Sequence, residues 1–511
     1  MKVNRIFSAW MLMASLSLGI VSCVSDDSTE GGGAIPQLTV KGEGLSEMLT
    51  YNIYLGDECV ITPEITYQGG EESNLTYSWK IGTYANGVMG ALEEVSTERD
   101  LNYKFETGGS YYAHLTVTDG KVGKAVDYRI NVNRTFEEGY LITSTDANGK
   151  GNLAFVKILT PEEIAAGKTS VVIEHSLEKM NEGYSEDGLV SAALGTVTWP
   201  TTVRRVLVST DKHCYVIDPN NFTIITDIKY EDLYPGFKAT HFMPDSYTPW
   251  AFDSSTKQFV HINLTYMFPY EYQYFKGCNA DGFLPCKYTS WGSESLFTFY
   301  MNYAENKVAF FSAYAPYFGL DTYFPDTSDL LDGHTLLTAF YGTAPGSNYV
   351  TPSYILSREN ETGDLTLWNN SVDSYYYINS NFTRQEFTPT ATTAVPAQGA
   401  KVVPSAKQLR YYYPVDNAVY ILLTSTDFAL PDKSQYAIQF AANEEITFLD
   451  TNLSTDELYV ATYDKTTQRG NFYIYDCKDV RTDNAAAVKA KAEYKNCAGR
   501  ISSVMYKPSI Q

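Results

Sequence analysis

Positive charge is in short supply in this 511-residue sequence: 38 Lys and Arg stand against 60 Asp and Glu, for a net charge of -22. Such a surface repels phosphate backbones and anionic head groups, which excludes nucleic acid as a partner and a basic patch as a means of membrane attachment. Histidine is scarcer still. The six residues (His114, His175, His213, His241, His261, His334) are isolated from one another, and although His213 adjoins Cys214 no set of them has zinc-ligand spacing. HExxH, GxSxG, GxxxxGK, GxGxxG and CxxC are all absent, and with them the sequence signatures of metalloproteases, nucleophile elbows, phosphate cradles, dinucleotide sites and thiol redox centres. The sequence implies no cofactor and no metal, and it singles out no catalytic residue. Helical patterning is also rare: Thr160-Pro161-Glu162-Glu163 makes one helix start, and the Ala-rich stretch 484–491 has room for a turn or two.

What is present begins with Lys2 and Arg5, followed by an apolar run from Ile6 to Val21 that is too short to cross a bilayer, which takes about 20 apolar residues. Charge, apolar run and small residues in that order form a secretory signal over 1–22. The run ends at Ile20-Val21-Ser22-Cys23, which resembles the lipobox of bacterial lipoproteins. That resemblance implies cleavage before Cys23, diacylation of its thiol and anchoring in the outer membrane. Ser25-Asp26-Asp27 resembles the acidic signal that sends such lipoproteins to the outer face. The rest of 23–34, with Gly31-Gly32-Gly33, is a polar tether with little to bury.

Six cysteines remain. Export permits disulfides, and spacing predicts Cys278 with Cys286 and Cys477 with Cys497, leaving Cys59 and Cys214 unpaired.

The mature length is too great for one ordinary core, and the texture changes near residue 133. Over 35–133, short alternating strands are separated by Gly, Asn and Asp turns, the pattern of a β-sandwich. Trp79, Phe105, Gly108-Gly109, Tyr112, Leu115, Val117 and Asp119 resemble the core of the immunoglobulin-like polycystic-kidney-disease (PKD) domain, although Lys80-Ile81-Gly82 stands where that family usually has Gly-Asp-Gly. Over 134–511, paired β-rich runs recur about every 50 residues, beginning near Tyr140, Val206, Trp250, Phe297, Tyr354, Val419 and Ile446. That period predicts an all-β chain whose second domain is a β-propeller of seven blades, closed by the last strand, Ile501 to Lys507, pairing back onto the first.

Tyrosine is abundant, at 42 residues, and clusters in loop-like stretches. A Tyr face stacks on the apolar side of a sugar ring while its hydroxyl adds a hydrogen bond, so Tyr270, Tyr272, Tyr274, Tyr317 and Tyr323 are the candidate ligand-binding residues. Asp450, Asn452, Asp456 and Glu457 have the oxygen donors of a calcium loop, but Asx residues serve a tight turn equally well. Taken in order, signal, tether, sandwich, propeller and Val504-Met505-Tyr506-Lys507-Pro508 resemble the PKD-like family of lipoproteins. The resemblance implies a role in starch-utilisation-like uptake, beside a TonB-dependent transporter and companion surface lipoproteins, with a glycan or peptide as ligand. The leading expectation is a non-catalytic surface accessory. The alternatives are a glycan-active propeller hydrolase or lyase, and an adhesin or assembly scaffold.

Overall fold

A computed structural model describes residues 36–510 apart from 43–47, 55–56, 86–87, 106–107, 134–135, 166, 168–169, 198–201, 244–248, 272–281, 287–296, 313–329, 344–349, 374–381 and 425–426. The chain is nearly all β and divides into two units, Met1–Asn133 and Arg134–Gln511. Cys23, the signal and the tether lie outside the described residues.

In the first unit, Thr76–Ala85, Gly109–Thr118 and Gly123–Asn133 form an antiparallel sheet that Thr50–Tyr54 joins in parallel. Two smaller pairings, Gln37–Val40 with Ile65–Gln68 and Glu58–Ile61 with Leu101–Lys104, complete it. Period-2 alternation sends Leu38, Val40, Cys59 and Ile61 into the same core as Trp79, Leu115, Val126 and Ile130. Trp79 is fully buried, yet its indole N–H donates to the Glu98 carbonyl at 3.1 Å, so the one polar atom of the largest core side chain is satisfied.

The second unit holds seven successive antiparallel sheets among the described residues. Sheet 2 is a meander of Leu189–Val197, Val203–Thr210, His213–Ile217 and Ile224–Lys229. Sheet 3 follows with His241–Met243, Trp250–Asp253, Gln258–Asn263 and Phe268–Glu271, and sheet 4 with Gly282–Cys286, Phe297–Asn302 and Lys307–Ser312. Sheet 5 comprises His334–Tyr341, Val350–Glu359, Leu365–Asp373 and Thr383–Phe387. Sheet 6 comprises Val403–Pro404, Tyr411–Val415, Ala418–Leu422 and Ile438–Gln439, and sheet 7 Glu444–Asn452, Glu457–Asp464, Arg469–Asp476 and Ala492–Ala498. Sheet 1 is assembled from both ends of the unit. Arg500–Lys507 forms its inner, first strand, followed outward by Gly139–Thr145, Gly151–Lys157 and Val172–Ile173, so the closing strand does pair back onto the first sheet.

Apolar side chains on both faces of a sheet leave only face-to-face stacking to bury them. Separate cores accordingly lie between sheets 1 and 2 (Phe155, Val208), 2 and 3 (Leu207, Ile262), 6 and 7 (Tyr412, Val460) and 7 and 1 (Phe472, Ile142). The first strands of sheets 2 to 7 and the terminal strand Arg500–Lys507 contact one another in sequence and return to the start, which closes a propeller-like ring and leaves no free edge at its centre. Helix is confined to short pieces. Thr160 caps Pro161–Ala165, its Oγ1 accepting from the Glu163 amide at 3.3 Å while Glu163 accepts from the Thr160 amide at 3.1 Å, a reciprocal capping box.

The pairing of Cys477 with Cys497 does not occur: both are free, buried thiols, as are Cys59 and Cys214. Ala498 faces Gly470 across the ladder, so Cys497 sits beside the start of strand Arg469–Asp476, whereas Cys477 follows its end. Seven residues of strand separate them by about 20 Å, far outside the roughly 7 Å Cα limit of a disulfide. They also serve different cores, Cys477 toward sheet 6 and Cys497 toward sheet 1, and burial pushes both thiols well above their ordinary range. Cys278 lies outside the described residues, and Cys286 ends a strand of sheet 4 whose side chains are not described.

Candidate functional site

One rim of the ring repeats a small chemical unit. The second strands of sheets 1, 2, 5 and 7 end in a hydroxyl, any residue, then an acid: Ser144-Thr-Asp146, Ser209-Thr-Asp211, Ser357-Arg-Glu359 and Thr462-Tyr-Asp464. All four hydroxyl residues are buried. Opposite each, or its neighbour, the first strand carries a one-residue bulge, at Ser502, Val190, Leu337 and Thr447 respectively. A bulge breaks the ladder, and a buried hydroxyl nearby re-satisfies freed backbone groups. Ser144 Oγ, for example, accepts from the Gly499 amide at 3.1 Å. The acid then caps the following hairpin, as where Asp146 Oδ1 accepts from the Asn148 and Lys150 amides at 2.8 Å.

Bulges are common beside binding sites because they re-aim side chains. Within sheet 1, where the two ends of the unit pair, Thr143 Oγ1 lies 2.9 Å from Ser502 Oγ and 2.5 Å from Ser503 Oγ, and Ser503 reaches Ser191 of sheet 2 at 3.4 Å. Beside these hydroxyls Arg500 grips Glu445 and lies over the Tyr463 ring, while Arg469 bridges to Glu174. The carboxylate of Glu445 is held below its usual range, chiefly by its hydrogen bond to Arg500. The two arginine contacts clamp sheet 7 to sheet 1, and each of their acids is paired with a cation.

A second constellation lies under the short helix Ser176–Met180. Glu186 is fully buried, and its two oxygens accept from the amides of Leu153 at 2.8 Å, Leu177 at 2.9 Å and Glu178 at 3.3 Å, with His175 Nδ1 at 3.2 Å. Burial raises the Glu186 carboxyl above its ordinary value while the amide bonds oppose that shift. Glu178 returns the favour by accepting from the Glu186 amide and from Lys150. Every acceptor position here is taken up by the chain itself, which marks a structural clasp.

The third is aromatic. Across sheet 3, Trp250, His261 and Tyr270 are register partners on three adjacent strands, with ring centroids 6.4 and 5.5 Å apart. Burial lowers the His261 imidazole to about 3, so it is neutral in ordinary buffers and joins the stack as a flat ring. On the last strand, alternation places Phe268 and Tyr270 on one side, and Tyr266, in the turn just before it, continues the row, with centroid spacings of 6.4 and 6.2 Å. The row leaves the protein as it goes: Trp250 is buried, Phe268 is 44% exposed and Tyr266 71% exposed.

Of the predicted binding residues, Tyr270 stands in this row, part-way between the buried and the exposed end. Tyr272, Tyr274, Tyr317 and Tyr323 lie outside the described residues. Tyr411, Tyr412 and Tyr413 are buried core residues, with the Tyr412 and Tyr413 hydroxyls donating to the carbonyls of Cys477 and Ala394. The acidic turn 450–457 serves the fold: Asp456 Oδ1 accepts from the Ser405 hydroxyl and the Ala406 amide, tying sheet 7 to sheet 6, and Asn452 caps its own turn. Among the described residues no group of His, Cys, Asp or Glu is arranged to hold a metal ion. Sequence reasoning missed the hydroxyl-x-acid repeat, which was readable as Leu-Ile-Thr-Ser-Thr-Asp at 141–146 beside Val-Leu-Val-Ser-Thr-Asp at 206–211. It also passed over Phe268, whose only signal was its place two residues from two tyrosines.

No protein-family model matches the chain, and no curated protein does. Among solved structures it is similar to a quinonprotein alcohol dehydrogenase-like protein from Bacteroides thetaiotaomicron, at 14% identity over 90% of this chain and 96% of that one, with a TM-score of 0.43. It is also similar to a putative 6-phosphogluconolactonase from Bacteroides uniformis, at 10% identity over 84% of this chain and 99% of that one, with a TM-score of 0.34.

Proposed function

We propose that this protein is a non-catalytic lipoprotein of the outer cell surface, anchored through Cys23, in which a PKD-like sandwich (35–133) carries a seven-bladed propeller (134–511) that captures a nutrient. The ligand is a glycan or a peptide, taken up with the help of a TonB-dependent transporter and companion lipoproteins. The observation that carries the reading is the aromatic row of sheet 3, whose Phe268 and Tyr266 emerge into water side by side. Exposed apolar rings cost solvation free energy, and a binding surface is the usual compensation. Three further features support it. The lipobox and its acidic follow-on match export to the surface, the net charge of -22 rules out attachment by basic residues, and the carboxylates at the seam are engaged by arginine.

Two measurements test this. In a diderm host, radiolabelled palmitate should enter the wild-type chain and not Cys23→Ala, and protease added to intact cells should degrade the wild type. A panel of polysaccharides and peptides, with product analysis of every hit, should show binding without turnover. Released products would overturn the non-catalytic reading, and a chain protected from protease in intact cells would overturn its placement on the surface.

A further inference from the structure

The row Tyr266, Phe268 and Tyr270 can be read more closely than as a generic sticky patch, and the inference rests on the capture reading above. The planes of Tyr266 and Phe268 are inclined by 29° with centroids 6.4 Å apart, so the two exposed rings form a small, roughly parallel aromatic platform. Tyr270 stands edge-on to Phe268 at 64° and forms a wall at the buried end. The platform is held firmly. Asn263 Oδ1 accepts from the Thr265 and Tyr266 amides at 2.9 Å and the Met267 amide donates to the Asn263 carbonyl at 2.8 Å, fixing the turn that carries Tyr266. The strand itself pairs along Gln258–Asn263.

Charge discriminates between ligands. From Gln258 to Glu271 the chain runs through twelve residues, Phe259 to Tyr270, without Asp, Glu, Lys or Arg, in a protein where 19% of residues are charged. His261, whose imidazole joins the row, is kept neutral by burial. This stretch therefore offers an ion no counter-charge of its own, and adjacent exposed aromatic rings match the C–H faces of pyranose rings. We propose that Tyr266 and Phe268, backed by Tyr270, form a stacking subsite for an uncharged polysaccharide, with successive sugar rings lying along the outer strand of sheet 3. Stacking on π faces tolerates different sugars, so the subsite selects neutral over acidic chains more strongly than one hexose over another.

The test uses the full chain in detergent micelles and native gels cast with soluble starch, xyloglucan, galactomannan or polygalacturonate, with a tryptic casein digest assayed separately by calorimetry. Wild type should be retarded by at least one of the three neutral polysaccharides and not by polygalacturonate. The Tyr266→Ala/Phe268→Ala variant should lose at least about tenfold in affinity, and Leu409→Ala, at an exposed apolar position between two strands of sheet 6, should bind as wild type. Tyr266→Ala alone, at a turn position largely in water, should give an intermediate loss and guards against misfolding of the double variant. Undiminished retardation of the double variant overturns the subsite while leaving glycan capture standing. Binding of the casein digest alone overturns the polysaccharide and leaves peptide capture. Retardation by polygalacturonate equal to that by neutral chains overturns the charge argument, and no binding to any probe overturns the inference together with its premise.

Discussion

Glu186 offers the sharpest test of how the ring unit is held together. Its carboxylate satisfies three buried backbone amides, those of Leu153, Leu177 and Glu178. Truncation in Glu186→Ala would orphan all three. A buried donor without a partner costs about 1–3 kcal/mol, and relief from burying a carboxylate returns part of that, so a net loss of about 2–4 kcal/mol is expected. Glu186→Gln keeps one acceptor oxygen and should cost about half as much. Because the clasp joins the helix Ser176–Met180 to the strand Gly151–Lys157, the first consequence is local opening rather than global unfolding. Hydrogen exchange at the three amides should accelerate by between about 30-fold and about 700-fold in the Ala variant, since each 1.4 kcal/mol is tenfold. Exchange at the Trp79 core of the sandwich should not change. If the three amides exchange within about threefold of wild type in Glu186→Ala, the carboxylate is not their acceptor and the clasp is wrong.

Alkylation of the unfolded, unreduced chain should label Cys477 and Cys497 completely, and a tryptic peptide joining the two would refute the geometry given above. Asp119, which accepts from the Tyr67 hydroxyl and the Lys121 and Val122 amides, has its carboxyl lowered to about 2 from an ordinary 3.8. The unfolded chain then binds the proton more readily, so the sandwich should lose stability as pH falls from about 4 to about 2. Asp119→Asn should flatten that part of an acid-unfolding curve, and an unchanged slope would count against the assignment. Deleting residues 500–511 removes the strand that closes sheet 1 and should replace the ring unit's cooperative thermal transition with a broad, early one. A sharp transition at the wild-type temperature would show that closure contributes little.

Much of the fold could be read from residues because β structure writes its burial pattern at short range. Tyr140 to Ile158 with its Asp146 to Gly149 turn is a hairpin of sheet 1, and the units begun near Val206, Trp250, Phe297, Tyr354, Val419 and Ile446 each fall in a sheet of their own. Pairings distant in sequence were harder. The closing strand was legible as one further alternating run after the last recurring hairpin, whereas Cys477 and Cys497 looked like partners because only twenty positions separate them. That spacing says nothing about which end of an intervening strand each one flanks. Tyrosine clusters misled for a related reason: Tyr411 to Tyr413 and Tyr266 to Tyr270 look alike in composition, and only position in the ring separates a buried core from an exposed row.

By itself, then, the sequence determined the local grammar: which runs are strands, where the hairpins turn, that charge is acidic throughout, and that a cysteine follows an apolar leader. Each of these depends on neighbours a few residues away. Only the tertiary structure decided that Thr143 meets Ser503 across 360 positions, that Glu186 is a buried acceptor, that His261 is a neutral member of a ring stack, and that Phe268 stands in water between two tyrosines. The physical reason is that solvation and hydrogen-bond partners depend on what stacks against a sheet face, and in a ring of sheets that neighbour comes from another blade rather than from the same stretch of chain.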